Sequence, residues 1–324
     1  MIIKVREIPL IILYFEALLR RLPRESSLRS KTKIEENLLK AWAGYHGECK
    51  VDRQLSTIDN QHMLVLNDLC IPMVESFFQI DTLILTRNFI LILEIKNIAG
   101  SMECGTQFEQ FSRTLNGEVT GFPNPLSQAN RYKIHLTQWL QKKNLPIIPI
   151  EFLVVFTNSS SLISTSSQCK DTLGRAIRIE NLVAKFLTIQ HSCSNPNSIL
   201  EMKEIKKIAN SLMKEHAPYS KFKQQHKGII PGVRCTRCDR FNMVRNMRSW
   251  YCPDCGEFDR NAHQQAIYDY LLLVSPIITN KQAREFLGVE SSRVAYLLLN
   301  NMNLTSQGKG KGRIYSLPKN FTHQ

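Results

Sequence analysis

Apolar residues are concentrated in two adjoining segments, 79–86 (QIDTLILT) and 89–96 (FILILEIK), with two polar residues between them. Their content of Ile, Leu and Thr and their short separation predict two β-strands joined by a two-residue turn. The register of such a turn places Asp81 directly opposite Glu94. Because side chains alternate between the faces of a strand, Lys96 shares the face of Glu94. The sequence therefore predicts two carboxylates and an ammonium group on one patch of an otherwise apolar sheet.

The hydrophobic pattern around this hairpin alternates between helical and extended periods. Residues 100–123 are rich in glycine and predict a loop, and Asn124 followed by Pro125 is typical of a helix start. In chain order we expect a helix, three strands, a helix and a strand, at residues 34–58, 62–69, 79–86, 89–96, 125–143 and 149–156. This order predicts one α/β domain that ends near residue 190.

The last 60 residues or so alternate helical stripes with turn residues. We expect three helices and two short hairpin strands, at residues 263–274, 279–287, 291–301, 304–305 and 314–315. Three helices and a basic hairpin resemble a winged-helix domain, in which the third helix enters a DNA major groove and the wing contacts phosphate. The residues expected to do so are Ser291, Ser292, Arg293 and Tyr296 on the helix and Lys309, Lys311 and Arg313 on the wing. Protein docking is the alternative for such a domain.

Composition favours a partner that is a polyanion. The chain has 324 residues, a length that suits two or three domains, and 43% of them are hydrophobic, enough to build cores. Its net charge of +14 favours a nucleic acid as the partner. The apolar run at residues 8–19 is interrupted by Glu16 and is too short to span a membrane, so we expect an amphipathic helix and no integral membrane association. That helix docks on the protein itself or weakly on a membrane.

Four of the nine cysteines form two CxxC pairs, Cys235 with Cys238 and Cys252 with Cys255. Each pair can present two thiolates from one tight turn, and two such turns complete a tetrahedral Zn²⁺ site. The other five cysteines are scattered singly, which is typical of a reduced, cytoplasmic chain without a disulfide framework. Redox dithiols are the alternative for the two pairs.

Basic and aromatic residues alternate between the two CxxC pairs. Arg245, Arg248 and Trp250 suit phosphate contact and base stacking. The aromatic residues could instead cover a metal site in a segment with so little core.

The patch of Asp81, Glu94 and Lys96 suits a hard divalent cation. Paired carboxylates supply the oxygen ligands that such a cation takes, and an ammonium group beside them can orient a water molecule or stabilise developing charge. This is the chemistry of phosphodiester hydrolysis. The alternative is an ion pair of Glu94 and Lys96 at the edge of a sheet, with Asp81 capping a turn.

Four motifs together resemble the nuclease-related domain (NERD) family, which is similar to the PD-(D/E)xK nuclease superfamily. They are Gly47-Glu48, Gln79-Ile80-Asp81, Leu93-Glu94-Ile95-Lys96-Asn97 followed by Gly100, and Asn124-Pro125-Leu126-x-Gln128. The resemblance covers about residues 34–190. It implies a mixed sheet flanked by helices, an α/β fold.

The resemblance also implies roles for individual residues. Glu48, Asp81, Glu94 and the Ile95 carbonyl would hold Mg²⁺ or Mn²⁺, and Lys96 would be the catalytic lysine. Gln128 and Tyr132 are similar to the helix motif of exonuclease-type members, which lies beside the substrate. Exposure on a solvated helix is the alternative for Glu48, and core packing is the alternative for Tyr132.

We therefore expect a metal-dependent nuclease that acts on nucleic acid, with DNA favoured as the substrate, and with C-terminal modules that bind the substrate. The expected segments are an amphipathic helical segment, the nuclease-like domain, a basic linker, a four-cysteine zinc ribbon and a winged-helix-like domain, at residues 1–33, 34–190, 191–230, 231–260 and 261–324. Two alternatives remain. One is a DNA-binding or scaffold protein with an inactive nuclease fold, and the other is a transcription regulator, which leaves the acidic patch unexplained.

Overall fold

A computed structural model describes residues 1–23, 28–58, 63–73, 77–104, 111–165, 174–194, 199–217, 228–318 and 321. The chain divides into two compact units. Unit 1 comprises Met1–Glu7 and Ala43–Tyr219, and unit 2 comprises Ile8–Trp42 and Ser220–Gln324. Each unit is built from two separate segments of the chain.

Unit 1 contains two mixed sheets. Its strands are β1 (Ile2–Lys4), β2 (Leu64–Pro72), β3 (Phe77–Leu85), β4 (Ile90–Lys96), β5 (Gly100–Cys104), β6 (Phe111–Leu115), β7 (Glu118–Phe122), β8 (Ile150–Phe156), β9 (Ser161–Thr165) and β10 (Ala176–Arg178). The larger sheet has the order β1-β2-β3-β4-β8-β10, antiparallel at β2–β3 and β3–β4 and parallel elsewhere. The strand expected from residue 62 is β2, and residue 62 itself lies outside the described residues.

The predicted hairpin is confirmed as β3 and β4. Leu85 pairs with Ile90 and Thr82 pairs with Leu93, and the amide of Thr86 donates to the Phe89 carbonyl at 3.0 Å. This register is the one that a two-residue turn imposes. Where β3 and β4 continue beyond these pairs, the same register determines which residues lie opposite each other.

Helices cover both faces of the larger sheet. Among the described residues, the helices in the first two thirds of the chain are α1 (Leu10–Arg21), α2 (Leu28–Leu55), α3 (Pro125–Lys142), α4 (Leu182–Ser192) and α5 (Met202–Glu215). Side chains of α3 and α5 pack with one face of the sheet, and the end of α2 packs with α4 on the other. The predicted α/β fold, a mixed sheet flanked by helices, is confirmed.

Helix α3 begins as its sequence predicts. Pro125 is its first residue, and the side chain of Asn124 accepts a hydrogen bond from the Leu126 amide at 2.9 Å. The cap satisfies one of the amides left free at a helix start. Helix α5 lies within the stretch expected to form a linker, and it buries Ile205 and Leu212 in the core of unit 1.

The expectation of a loop at residues 100–123 is wrong. The strands β5, β6 and β7 lie there and form a second sheet with the order β7-β6-β5-β9. Leu115 pairs with Glu118 across Asn116 and Gly117, whose φ angles are +52° and +83°. An Asn-Gly pair with both φ angles positive forms the type I′ turn that joins hairpin strands.

Unit 2 contains short strands and further helices. Its later elements are β11 (Val244–Asn246), β12 (Ser249–Tyr251), β13 (Phe258–Asp259), α6 (Ala262–Leu273), β14 (Ile278–Thr279), α7 (Asn280–Leu287), α8 (Ser292–Asn300), β15 (Thr305–Gln307) and β16 (Ile314–Ser316). The three helices and the hairpin strands expected here are present, and β14 adds a third strand in the order β14-β16-β15. Helix α7 begins with a capping box at Thr279 and ends at Gly288, which has a φ angle of +70°.

The N-terminal helix α1 packs against α6 within unit 2. Leu13 and Leu18 share a buried cluster with Leu272. Arg21, which is 1% exposed, donates to Asp269 at 2.7 Å. This amphipathic helix therefore docks on the protein. No helix in the described part of the chain is long and apolar enough to cross a membrane.

Candidate functional site

A row of carboxylates crosses three neighbouring strands of the larger sheet. Asn67 pairs with Thr82 between β2 and β3, so the register places Asp68 opposite Asp81. The register of β3 and β4 places Asp81 opposite Glu94. Glu94 is only 2% exposed, whereas Asp68 and Asp81 are half-buried. The sheet thus gathers acidic side chains where its strands are otherwise apolar.

Four of the predicted catalytic side chains form one chain of hydrogen bonds. Lys96 Nζ lies 2.5 Å from Glu94 Oε1 and 3.3 Å from Gln128 Oε1. Gln128 Nε2 in turn donates to the Tyr132 hydroxyl at 2.8 Å. Gln128 and Tyr132 are one turn apart on α3, so they present the same face to the end of β4. The Tyr132 ring also packs with the core, as the alternative for this residue predicts, and its role beside a substrate stays a prediction.

Asp81 is held by the backbone of the neighbouring strand. Its Oδ2 accepts a hydrogen bond from the Ile95 amide at 2.8 Å. This contact fixes the carboxylate beside the edge of β4 where Glu94 and Lys96 lie.

Glu48 reaches the site from helix α2, and Gly47 permits this approach. A Cβ atom at Gly47 would lie 2.6 Å from Thr157 Oγ1 and 2.8 Å from the Asn97 Cβ. Asn97 Nδ2 also donates to the Ala43 carbonyl at 2.6 Å. The helix therefore packs closely on the ends of β4 and β8, and it places Glu48 near the row of carboxylates.

Arg6 is a member of the site that the sequence analysis missed. Its Nη1 atom lies 2.7 Å from Glu48 Oε2 and 2.9 Å from Asp68 Oδ1, and its Nε atom lies 2.8 Å from Asp52 Oδ2. The side chain is only 3% exposed. The sequence did offer one indication of the carboxylates around Arg6, because Asp68 interrupts an apolar strand just as Asp81 does. Nothing local to Arg6 linked it to the acidic residues.

Burial shapes the acid–base properties of these groups. Burial, followed by repulsion from Asp81, raises the pKa of Glu94 to about 8, and the same two causes raise that of Glu48 to about 8. Burial likewise raises the pKa of Asp81. Burial opposes the charge of Lys96, but attraction to Glu94, the hydrogen bond with Glu94 and attraction to Asp81 together outweigh it and raise the lysine pKa.

The oxygen donors of this site fit a hard divalent cation. Glu94 Oε2 is buried and has no hydrogen-bond partner within the described chain. The carboxylates of Glu48, Asp81 and Glu94 repel one another, and a bound cation would offset this repulsion. Their ligand atoms do not all lie within 4.8 Å of one another, because each carboxylate is turned towards its own partner in the protein.

The four CxxC cysteines do form a compact cluster in unit 2. All four sulfur atoms lie within 4.8 Å of one another, with Cys235 and Cys255 at 3.5 Å and Cys238 and Cys252 at 3.5 Å. A tetrahedral Zn²⁺ site with bonds of about 2.3 Å has sulfur separations of about 3.8 Å, so the cluster is compatible with zinc.

The two turns that carry these cysteines have the same backbone design. The amides of Asp239 and Gly256 donate to the carbonyls of Cys235 and Cys252 at 3.0 and 2.9 Å. Both residues have positive φ angles, +63° and +75°. Each CxxC turn thereby brings its two sulfur atoms to the same side.

The structure separates the predicted nucleic-acid contacts into two surfaces. Ser292, Arg293, Tyr296 and Arg313 line one cavity of about 840 Å³ with Lys281 and Arg284. Ser291 caps α8 by accepting from the Val294 amide at 3.3 Å, and Lys309 is exposed. The side chain of Lys311 lies outside the described residues.

Arg245 and Arg248 lie on a different cavity, and Trp250 belongs to neither surface. Trp250 is completely buried, and its indole N–H donates to His263 Nδ1 at 3.2 Å. A ring in that position cannot stack on a base. The prediction for Trp250 is therefore corrected, since its ring fills the core beside the cysteine cluster.

Residues 43–157 match the family model described as nuclease-related domain. The matched segment includes Glu48, Asp81, Glu94, Lys96, Gln128 and Tyr132, and it indicates a nuclease-related function. Searches of the curated proteins and of the solved structures found no match.

Proposed function

We propose that this protein is a nuclease that hydrolyses phosphodiester bonds in nucleic acid, with DNA as its substrate and Mg²⁺ or Mn²⁺ as its cofactor. The match of residues 43–157 to the nuclease-related domain model supports this proposal. The observation that carries the proposal is the hydrogen-bonded chain from Glu94 through Lys96 and Gln128 to Tyr132. It joins residues from a strand and a helix that are 32 positions apart in sequence. An incidental ion pair between Glu94 and Lys96 does not need such a chain.

The cation would be held by Glu48, Asp81, Glu94 and the main-chain carbonyl of Ile95. Bound there, a divalent cation neutralises charge on a phosphate group and activates a water molecule. The free and buried Glu94 Oε2 supports this assignment, since a buried acceptor without a donor is otherwise costly. The raised pKa values of Glu48 and Glu94 mean that cation binding would displace protons from them.

Lys96 would position the attacking water and donate hydrogen bonds to the phosphate oxygens. Its ammonium group is held between Glu94 and Gln128, so it is fixed before the substrate arrives. Its raised pKa keeps it charged near neutral pH. Gln128 and Tyr132 would orient this ammonium group and contact the substrate.

The C-terminal modules would bind the substrate. We propose that the four cysteines hold one structural Zn²⁺ and that the three helices and hairpin of residues 261–324 act as a winged helix on DNA. The arginines and the lysine that line the cavity around Tyr296 support this role. Residues 231–324 also contain thirteen Lys and Arg but only seven Asp and Glu, so this part of the chain carries a net positive charge. We place the protein in the cytoplasm, where its scattered single cysteines stay reduced.

One observation favours a second candidate, an inactive nuclease fold that serves as a DNA-binding or scaffold protein. The guanidinium of Arg6 lies among Glu48, Asp52 and Asp68 and already neutralises part of the acidic group. A resident cation of this kind could stand in for a metal ion. In that case the protein would bind DNA without cutting it.

A cleavage assay on the full chain separates the two. Labelled single- and double-stranded DNA and RNA are incubated with Mn²⁺, and rates are compared for the wild type, Lys96→Ala and Lys206→Ala. Lys206 is an exposed lysine of α5 in the same unit and serves as the matched control.

We expect cleavage of DNA by the wild type and by Lys206→Ala, and a loss on the order of 100-fold or more in Lys96→Ala, because a preorganised charge at the reacting phosphate is removed. No cleavage of any substrate would favour the inactive fold. Equal rates in Lys96→Ala and the wild type would reject the assigned site.

A further inference from the structure

A second cavity in unit 2, of about 420 Å³, has no role in the hydrolysis proposed above. It lies between the turn of β11 and β12, the start of α6 and one side of α8. Arg245 and Arg248 contribute from the turn, Arg260 from the residues before α6, and Leu297 from α8. Pockets of roughly 300–1,000 Å³ are of the size that small ligands occupy.

Arg245 is a cation without a counter-charge at this cavity. Two of its nitrogen atoms, Nε and Nη1, are buried and have no hydrogen-bond partner in the described part of the chain. Its guanidinium carbon lies 5.5 Å from the centre of the Trp250 ring, which holds the side chain in place. Burial lowers the pKa of Arg245, a sign of desolvation that nothing nearby compensates. Donors that are buried and unused favour an acceptor from outside the protein.

The charge around the cavity has one sign. Its eleven lining residues include three arginines, and no Asp or Glu is among them. The nearby carboxylate of Asp259 accepts a hydrogen bond from the Asn261 amide at 2.7 Å. Arg248 and Arg260 are both exposed, so an anion can reach them from solvent. Arginine binds phosphate oxygens in a bidentate manner, which suits a phosphate group at this point.

Part of the cavity lining is apolar and open to solvent. Met247 is 94% exposed at the tip of the turn, and Leu297 is 48% exposed on α8. Val294 and Leu298 continue this lining. A flat apolar group can lie against it while an anion contacts the arginines. A nucleotide combines these two features in one molecule.

We propose that this cavity binds a terminal nucleotide of a nucleic acid strand, with the phosphate between Arg245, Arg248 and Arg260 and the base against Met247 and Leu297. The inference deepens the proposed function and rests on it in one respect, namely that nucleic acid is the partner. A free nucleotide carries the same phosphate and base, so the test below distinguishes a free nucleotide from the end of a strand as the ligand. The cavity belongs to unit 2, whereas the carboxylates proposed to hold the cation belong to unit 1.

The test is a fluorescence titration of the full, zinc-containing chain without added Mg²⁺ or Mn²⁺. The probes are a labelled hexathymidylate with a 5′-phosphate, the same strand with a 3′-phosphate and the strand with neither, with thymidine monophosphate as a competitor. Because no cleavage is involved, failure of the nuclease assay does not affect this result.

We compare the wild type with Arg245→Gln, with Arg248→Gln and with Arg237→Gln. Arg237 is an exposed arginine between the CxxC cysteines that does not line the cavity, so its loss removes the same charge elsewhere. Arg248 is exposed, which makes its variant a safe second test should Arg245→Gln fold poorly.

We expect one phosphorylated strand to bind about tenfold more tightly than the unphosphorylated strand, the effect of one or two charge-assisted hydrogen bonds. Arg245→Gln and Arg248→Gln should abolish this preference, and Arg237→Gln should keep it. Competition by the mononucleotide at strand-like affinity would assign the site to free nucleotides. Equal binding of all three strands, or equal losses in Arg237→Gln and the two cavity variants, would overturn the proposal.

Discussion

At the scale of single residues, Glu94 has two oxygens in different surroundings. Oε1 contacts the ammonium group of Lys96, whereas Oε2 is buried and has no hydrogen-bond partner in the described chain. A carboxylate of this kind can keep its contact with a lysine and bind a cation with the other oxygen. In the proposed mechanism, Glu94 would therefore link the metal ligands to Lys96, the residue that would position the water.

The four clustered cysteines lead to a prediction at the same scale. Elemental analysis of the full chain, purified without a chelator, should find one Zn²⁺ per chain, because four sulfur atoms within 4.8 Å of one another match a tetrahedral site. The variant Cys238→Ser should lose the metal. Cys193→Ser removes a half-buried single cysteine in unit 1 and should keep it. Zinc missing from the wild type, or lost equally in both variants, would contradict the assignment.

The same residues show what local pattern could predict. The pairing of Asp81 with Glu94 followed from the turn length, since a two-residue turn leaves one register. Arg6 could not be found, because its carboxylate partners are 42 to 62 positions away and no periodicity connects them. Trp250 was misassigned because alternation of basic and aromatic residues does not reveal which side of a short strand is buried.

At the scale of elements, α1 and α6 are joined by a buried ion pair. Arg21 and Asp269 are each 1% exposed, and Arg20 adds a second contact to Asp269 at 3.0 Å. Arg21 also donates to the carbonyls of Ile230 and Gly232. The pair fixes how α1 docks on α6 within unit 2.

Breaking this pair should be costly. Asp269→Leu leaves the Arg21 guanidinium buried without its carboxylate, and we expect a loss of about 3–5 kcal/mol in the free energy of unfolding of unit 2. Adding Arg21→Met should recover much of that loss, since no isolated charge remains. Urea unfolding of the full chain measures both. Glu16→Gln, which removes only the more exposed partner of Arg20 at 3.9 Å, is the control. An Asp269→Leu cost no larger than the control would contradict this view of the interface.

Elements with strong periodicity were predictable, and elements defined by turns were less so. The hairpin of β3 and β4 and the capped helix α3 were found because their local signals agree with the final fold. The sheet of β5, β6 and β7 was missed, although Asn116 and Gly117 carry a hairpin signal. These short strands bury few apolar side chains, such as Met102 and Phe111, so their hydrophobic pattern is too weak to predict a strand and only their turn indicated them.

At the scale of the whole molecule, the chain distributes its chemistry over two units. The carboxylates, Lys96 and Arg6 belong to unit 1, whereas the cysteine cluster and the arginine-lined cavities belong to unit 2. The net charge of the whole chain, +14, favours association with a polyanion. If the proposed function is correct, unit 1 would hydrolyse the substrate and unit 2 would bind it.

Direct titration of the zinc-loaded full chain with Mn²⁺, followed by electron paramagnetic resonance, tests whether the carboxylate row is a cation site. We expect the wild type and Glu118→Gln, which alters an exposed carboxylate of β7, to bind Mn²⁺ alike, and Glu94→Gln to bind it at least about tenfold more weakly. Binding by the wild type should weaken as the pH falls from 9 to 7, because protons return to Glu48 and Glu94, whose pKa values are raised to about 8. Absence of Mn²⁺ binding at millimolar concentration, or binding that neither Glu94→Gln nor pH alters, would contradict the account.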